Sequence, residues 1–553
     1  MSAQLRIFSC TGKISKIPKK SFYKCYNLRQ IKFYSEDLII ENEAFSYCNQ
    51  LYQFRCPCQT TAVLDYAFSN CVNLYDFILG KLTKIGDFAF TNSSVSQVYI
   101  VNVSDIGQNA FQGCNMLNVI AIENKIVDVK SDDYFTFKNL TSFILNGNDV
   151  TINDNSLYNC TTVESVTINS QNLKIGKSSF SFCSNLNEIS LNSNQIDLGM
   201  SSFSDCINAK SLTINGIASL NENVFMNCKS LKFTKFDTNS NNLPNNLFMN
   251  CDKIETILIN GLITSIGDSA FKSCSSLTSV SFKSKEKLTF GISSFENCQK
   301  LAKIDLQNIN IEINKQSFYN CQNFQDLGNS NITKLGEFSF FNCKSLKEVQ
   351  ISSEEIPQNS FENCLNLEEI QLNSTTIIQT NAFHNSGINK VIIRSNDITI
   401  KSNAFSQCLN LKSFHVYGNI TSIESKSFEN DAKLNEFVYC GTKEVSSSSV
   451  FDGCESLKEI FVDGNYNSNK FSDINVKESE ICGKIEEEDD ENEDNSNDSR
   501  SKSKTTKIIV SVVVVLILIA VVIGIALFII MKKKHSSTEK SQSIVQEEIV
   551  IDV

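Results

Sequence analysis

The stretch "SIGDSAFKSCSSLTSVSF", residues 265–282, sets a glycine turn, a phenylalanine and a cysteine three residues later ahead of a run in which Leu277, Val280 and Phe282 are the apolar members. The alternation at its end predicts a β-strand with one apolar side. So short a strand cannot bury that side alone and needs copies of itself to pack against. The copies are there. Aligned on the aromatic, the unit recurs at Phe22, Phe45, Phe68, Phe90 and Phe111, and from Phe180 through Phe203, Phe225, Phe248, Phe271 and Phe295 on to Phe451. Leu157 stands in for the aromatic once, and Phe135 marks a degenerate unit. A period of about 23 residues, repeated about twenty times between Met1 and Asn465, predicts a solenoid.

The expected fold class is α/β. One strand per unit, written "LNEISL" (186–191), "LAKIDL" (301–306), "LKEVQI" (346–351) or "LEEIQL" (367–372), joins a parallel sheet that advances about 4.8 Å per unit. The "IGDSAFKSC" part supplies a turn and a short, tightly wound segment. Asn192, Asn215, Asn260 and Asn373 follow the strands where a tight bend is needed. Together with "KIGKSSFSFCSNLNEISL" (174–191) and "KLGEFSFFNCKSLKEVQI" (334–351), the opening motif resembles the BspA-like subclass of leucine-rich-repeat proteins, found on the surfaces of bacteria and protists. The resemblance covers about 465 residues. It implies a leucine-rich-repeat solenoid, extracellular display, adhesion to host or matrix proteins or to other cells, and often a single C-terminal anchor.

Sixteen of the 21 cysteines lie three residues after the repeat aromatic, Cys25, Cys274 and Cys454 among them. A thiol set by the repeat period reads as a small inward-facing filler, since free cysteine is among the most buried residue types. Zinc would need four converging ligands, and the C-x2-C plus histidine spacing is absent. Ser93, Ser386 and Asp431 replace the cysteine in three units, which an obligatory pairwise cross-link would tolerate poorly. Disulfides between neighbouring units remain open at this point. Outside the register lie Cys10, Cys440, the "CPC" of Cys56 and Cys58, which is a weak metal or redox motif, and Cys482, where an unpaired thiol would be able to join two chains.

The net charge of −11 is concentrated in "EEEDDENED" (486–494). The rest is near neutral, which argues against nucleic acid, a ligand that demands clustered Lys and Arg. Residues 466–507 turn polar and acidic and read as an extended stalk. Ile508–Met531 is 24 residues without a charge, long enough to cross a bilayer as one transmembrane helix. Residues 532–553 form a short tail, with "KKK" at its start favouring a cytoplasmic location and Ile551, Asp552 and Val553 as a terminal-carboxylate signature for a cytosolic adaptor. The first twenty residues hold no apolar run of the kind a secretory signal needs.

The chain has three histidines, His384, His415 and His535, and neither a G-x-x-x-x-G-K-[ST] loop nor H-E-x-x-H. No enzyme, cofactor or metal is expected. The solenoid at 1–465 is expected to bind extracellular protein or glycan ligands on the outward side of its sheet, at Lys303, Asp305, Lys347, Gln350, Glu369, Gln371, His415 and Lys458. The expected setting is the plasma membrane, in a single pass, with the repeats outside and the tail inside. The alternative is a tail-anchored scaffold with its repeats in the cytosol.

Overall fold

The computed structural model describes residues 5–103, 106–129, 139–233, 235–284, 287–306 and 308–482. The unit Met1–Ser479 is the solenoid; of the second unit, Glu480–Val553, only the first three residues are described. The apolar stretch 508–531, the tail and the degenerate unit at Phe135 lie outside the described residues. Among those described, no helix is long and apolar enough to cross a membrane.

The expected strand is present and pairs from coil to coil, parallel and in register. Ser142–Asn146 aligns with residues 165–169, those with 188–192, and those with 211–215. Burial alternates as the pattern requires: in Glu369–Leu372, Ile370 and Leu372 are buried while Glu369 and Gln371 face solvent. After the strand, Asn146, Asn169, Asn192 and Asn215 form an amide ladder, each Nδ2 donating to the Oδ1 one coil back at 2.7, 2.8 and 2.7 Å. The repeated asparagine thus ties coils together as well as turning the chain.

Two expectations need correction. Most of the described coils carry a second strand where the motif reading places only a turn, as in Asp149–Ile152 pairing with Asn172–Ile175. The signal lay in "NLKI", whose Leu173 and Ile175 are buried while Asn172 and Lys174 are exposed. The α component is also absent: among the described residues there is no helix, and the fold is all-β.

The reason is in the backbone of the wound segment. Ser269, Phe271 and Ser273 donate their N–H groups to Ile292, Ser294 and Glu296 of the next coil, at 2.8, 2.8 and 2.7 Å. Lys272 and Cys274 donate three residues back, to Ser269 and Phe271, at 3.1 Å each. With alternate donors committed to a neighbouring coil, the i→i−4 ladder of an α-helix cannot close. Ser269 and Ser273 also have φ of 55° and 60°, outside the helical region. The row holding Ser273 elsewhere carries Asn227, Asn250, Asn297, Asn320 and Asn342, all with positive φ, as expected of the residue that best tolerates that conformation after glycine. The glycine before the turn answers to close approach instead. A Cβ on Gly291 would stand 2.7 Å from the backbone nitrogen of Asp268 in the coil before.

Inside the coils the repeat phenylalanines form a column. Phe271, Phe295, Phe318 and Phe340 lie 5.0, 5.5 and 5.3 Å apart between ring centroids, with planes within 8° of parallel. This spacing is close to the coil advance and puts the rings in offset-stacked contact. Strands continue past residue 465. Ile474–Glu478 pairs parallel with the strand of Ile460, Phe461 and Val462, and antiparallel with Lys470 and Phe471. This hairpin covers the last sheet edge, which would otherwise present unpaired backbone groups.

Candidate interaction face

The repeat cysteines are buried, apart from the partly buried Cys160. Cys274 is fully buried, and its Sγ–H donates to the carbonyl of Phe248 in the preceding coil at 3.1 Å. Cys298 does the same to Phe271 and Cys321 to Phe295, each at 3.0 Å. The filler is therefore also a hydrogen-bond donor. That explains Ser93 and Ser386 in the same slot, with their hydroxyls 3.5 and 3.3 Å from the thiols of Cys114 and Cys408. Burial pushes the Cys274 thiol up to about 12, so it carries almost no thiolate at neutral pH. Seventeen cysteines are free, all the repeat cysteines among them. Cys56 and Cys58 form a disulfide. Cys482, expected as an unpaired thiol, is disulfide-bonded, as is Cys440. Among the described residues no group of three or more His, Cys, Asp or Glu side chains gathers as a metal site.

What remains available for recognition is the outward side of the sheet. Lys303 and Asp305 are exposed on one strand, and register places them beside Ser279 and Ser281 of the coil before. Lys347 and Gln350 are exposed, as are Glu369 and Gln371 in the next coil and Lys458 further on. Gln371 donates to Glu369 at 3.2 Å, and Lys390 of the next coil stands 3.8 Å from Glu369. His415 is not open. Its side chain is 13% exposed, and its Nε2 lies 3.3 Å from Glu436 and 2.9 Å from Ser413 Oγ. Its neighbours along the row, Ile392 and Val438, are buried although they too point outward by register. Buried apolar residues thus flank His415 on both sides, a feature that strand alternation alone cannot reveal. His384 sits on a turn, with Nδ1 2.7 Å from Ser406 Oγ.

The first coils carry a surface that the motif reading passes over. Tyr34, Tyr75 and Tyr99 are 53%, 60% and 54% exposed, in or next to the outward strand positions, with Ile78 exposed beside them. The Tyr52 and Tyr75 rings stack at 5.6 Å. Arg55 holds Asp76 from the next coil with two nitrogens, at 2.7 Å for the shorter contact, and Gln53 donates to the same carboxylate at 2.5 Å. The Arg55 hydrogen bond keeps the Asp76 carboxyl below its ordinary range. The signal was compositional, because eight of the 14 tyrosines fall within the first 99 residues. Two clefts open further along, where the strand Ser211–Leu220 meets the next coil through a single pair, Ile217 with Asp237. They measure about 520 Å³ against Asn172, Lys174 and Asp197, and about 460 Å³ against Leu212, Ile214 and Phe236.

Parallel strands stacked in register around a column of phenylalanines define a leucine-rich-repeat solenoid. The family model described as "BspA type Leucine rich repeat region (6 copies)" matches residues 1–118, 104–232, 197–325, 264–389 and 376–492, and the chain belongs to that family. Among solved structures it is similar to a leucine-rich cell surface protein from Faecalibacterium prausnitzii, with 17% identity, 62% of this chain and 88% of that one covered, and a TM-score of 0.30. It is also similar to a leucine-rich-repeat protein from Bacteroides ovatus, with 17% identity, 77% and 90% covered, and a TM-score of 0.22. No curated protein matches it.

Proposed function

We propose that the chain is a single-pass cell-surface protein whose solenoid binds protein or glycan ligands, in adhesion to host cells or matrix. The observation that carries this reading is the outward tyrosine surface of the first coils, Tyr34, Tyr75 and Tyr99 around the Arg55–Asp76 pair. Exposed tyrosine beside arginine is the composition of recognition surfaces, offering a large rigid contact area with a polar tip. The mixed charges at Lys303, Asp305, Lys347, Gln350, Glu369, Gln371 and Lys458 extend the face, with His415 largely closed off between Ile392 and Val438. The uncharged run 508–531 supports the anchor, and the tail is then free to meet a cytosolic adaptor.

Beads carrying the chain are expected to adhere to target cells or matrix, and a variant with Tyr34, Tyr75 and Tyr99 changed to Ser to lose most of that adherence. Equal adherence by both would move the site elsewhere; adherence no better than blank beads would remove the function. One observation favours the scaffold reading, namely seventeen free cysteines in a chain of this size, since unpaired thiols suit a reducing compartment. Protease treatment of intact cells separates the two: digestion of the repeats supports the surface, and full protection the cytosol.

A further inference from the structure

The cysteine row behaves as a row of donors aimed at one acceptor. Around its C-terminal end, Cys408 donates to the carbonyl of Phe383 at 3.2 Å and Cys454 to that of Phe428 at 3.0 Å. Asp431 occupies the slot between them and is fully buried. Its Oδ1 accepts the backbone N–H of Cys408 at 2.7 Å, while its Oδ2 has no hydrogen-bond partner. By the logic of the row, the acceptor for this slot is the carbonyl of Phe405. A carboxylate has nothing to give it and would face it as one acceptor facing another. A carboxylic acid has one proton to donate, as Cys and Ser have in the equivalent positions.

We propose that Asp431 is kept as a neutral carboxylic acid that donates to the Phe405 carbonyl, making it a proton-dependent fastener of the last coils, which tighten as pH falls. The groups facing it are the thiols of Cys408 and Cys454 in the coils on either side, with Asp452 near the latter. Both thiols are pushed up by burial, Cys454 to about 12, so neither ionises over the range that matters. Burial likewise pushes the Asp431 carboxyl up to about 9, opposed by the Cys408 N–H.

The sign follows from linkage. An acid whose folded pKa lies above its unfolded value of about 3.9 binds more protons in the folded state between the two values. Stability is therefore full below about 4 and falls as pH rises toward the folded value, by up to about tenfold in the opening equilibrium per pH unit. His415 with Glu436 and Lys401 with Glu424 are ion pairs in the same coils, so the slope has to be assigned by substitution.

The test is hydrogen exchange on the full chain at pH 5 and pH 8, corrected for intrinsic rates, read at the amides of residues 405–454. Wild type is expected to lose at least tenfold protection there between the two pH values, while the coils around Phe45 and Phe271 keep theirs. Asp431→Cys, which restores the row, and Asp431→Asn, which keeps a donor without a titration, are expected to abolish the loss. An unchanged slope in both variants, or no slope in wild type, overturns the proposal. Should both variants fail to fold, the infrared spectrum of wild type decides. A protonated carboxylic C=O band that persists at pH 7 and disappears at high pH supports the proposal, and its absence at pH 7 overturns it.

Discussion

Replacing Phe271 with Ala removes one ring from the middle of the phenylalanine column. The side chain is fully buried and stacks on Phe248 at 5.7 Å and on Phe295 at 5.0 Å. Truncating a buried phenylalanine costs about 3–5 kcal/mol. At about 0.05–0.15 kcal/mol per residue, a coil of 23 residues holds about 1–3.5 kcal/mol of net stability. The loss therefore matches or exceeds what the coil has. In a solenoid each coil contacts only its neighbours, so the damage should stay local and divide the array in two. Hydrogen exchange resolved by peptide is the assay. Protection should collapse in the Phe271 coil, weaken in the Phe248 and Phe295 coils, and hold around Phe45 and Phe405. An even loss across all coils would refute the nearest-neighbour reasoning, and unchanged protection at Phe271 would refute the cost.

Native protein treated with a thiol reagent at pH 8 should leave Cys274, Cys298 and Cys321 unmodified, because all three are buried with thiols pushed up; Cys10, only partly buried, should react first, and denaturant should release the rest, as mass spectrometry would count. Gly291→Ala sets a Cβ against the backbone of Asp268 and should destabilise by about 1–3 kcal/mol, visible as a lower urea midpoint in the surrounding coils. The Asp76 carboxyl is held down by Arg55. Its folded pKa lies below the unfolded value, so the pair stabilises above about pH 4 and is lost as pH falls through the folded pKa; Arg55→Ala should flatten this acid-side slope in a pH series of thermal melts.

Much of the scaffold was legible in the residues. The spacing from Phe271 to Phe295 and the alternation of Val280 and Phe282 announce a repeating strand, and the placing of Cys274 announces a buried row. The second strand was written just as plainly in "NLKI", but four residues beside a glycine turn read equally well as part of that turn. The outward positions were legible as directions rather than as exposure. Lys303 and Glu369 are open as alternation implies, whereas His415 shares its row with buried Ile392 and Val438, a matter of what packs around them. Tyr75 and Tyr99 were overlooked because they sit at the motif's variable positions, where the repeat pattern is silent.

By itself, the sequence determined the period, the inward phenylalanine and cysteine rows, and the need for neighbours, because those follow from apolar spacing along one unit. Tertiary structure decided where the hydrogen bonds go. Ser269, Phe271 and Ser273 send their N–H groups to Ile292, Ser294 and Glu296 in the next coil, and that non-local choice excludes the helix. The same geometry turns the cysteine from a filler into a donor, since its acceptor, the Phe248 carbonyl, lies 26 residues back in the chain and 3.1 Å away in space.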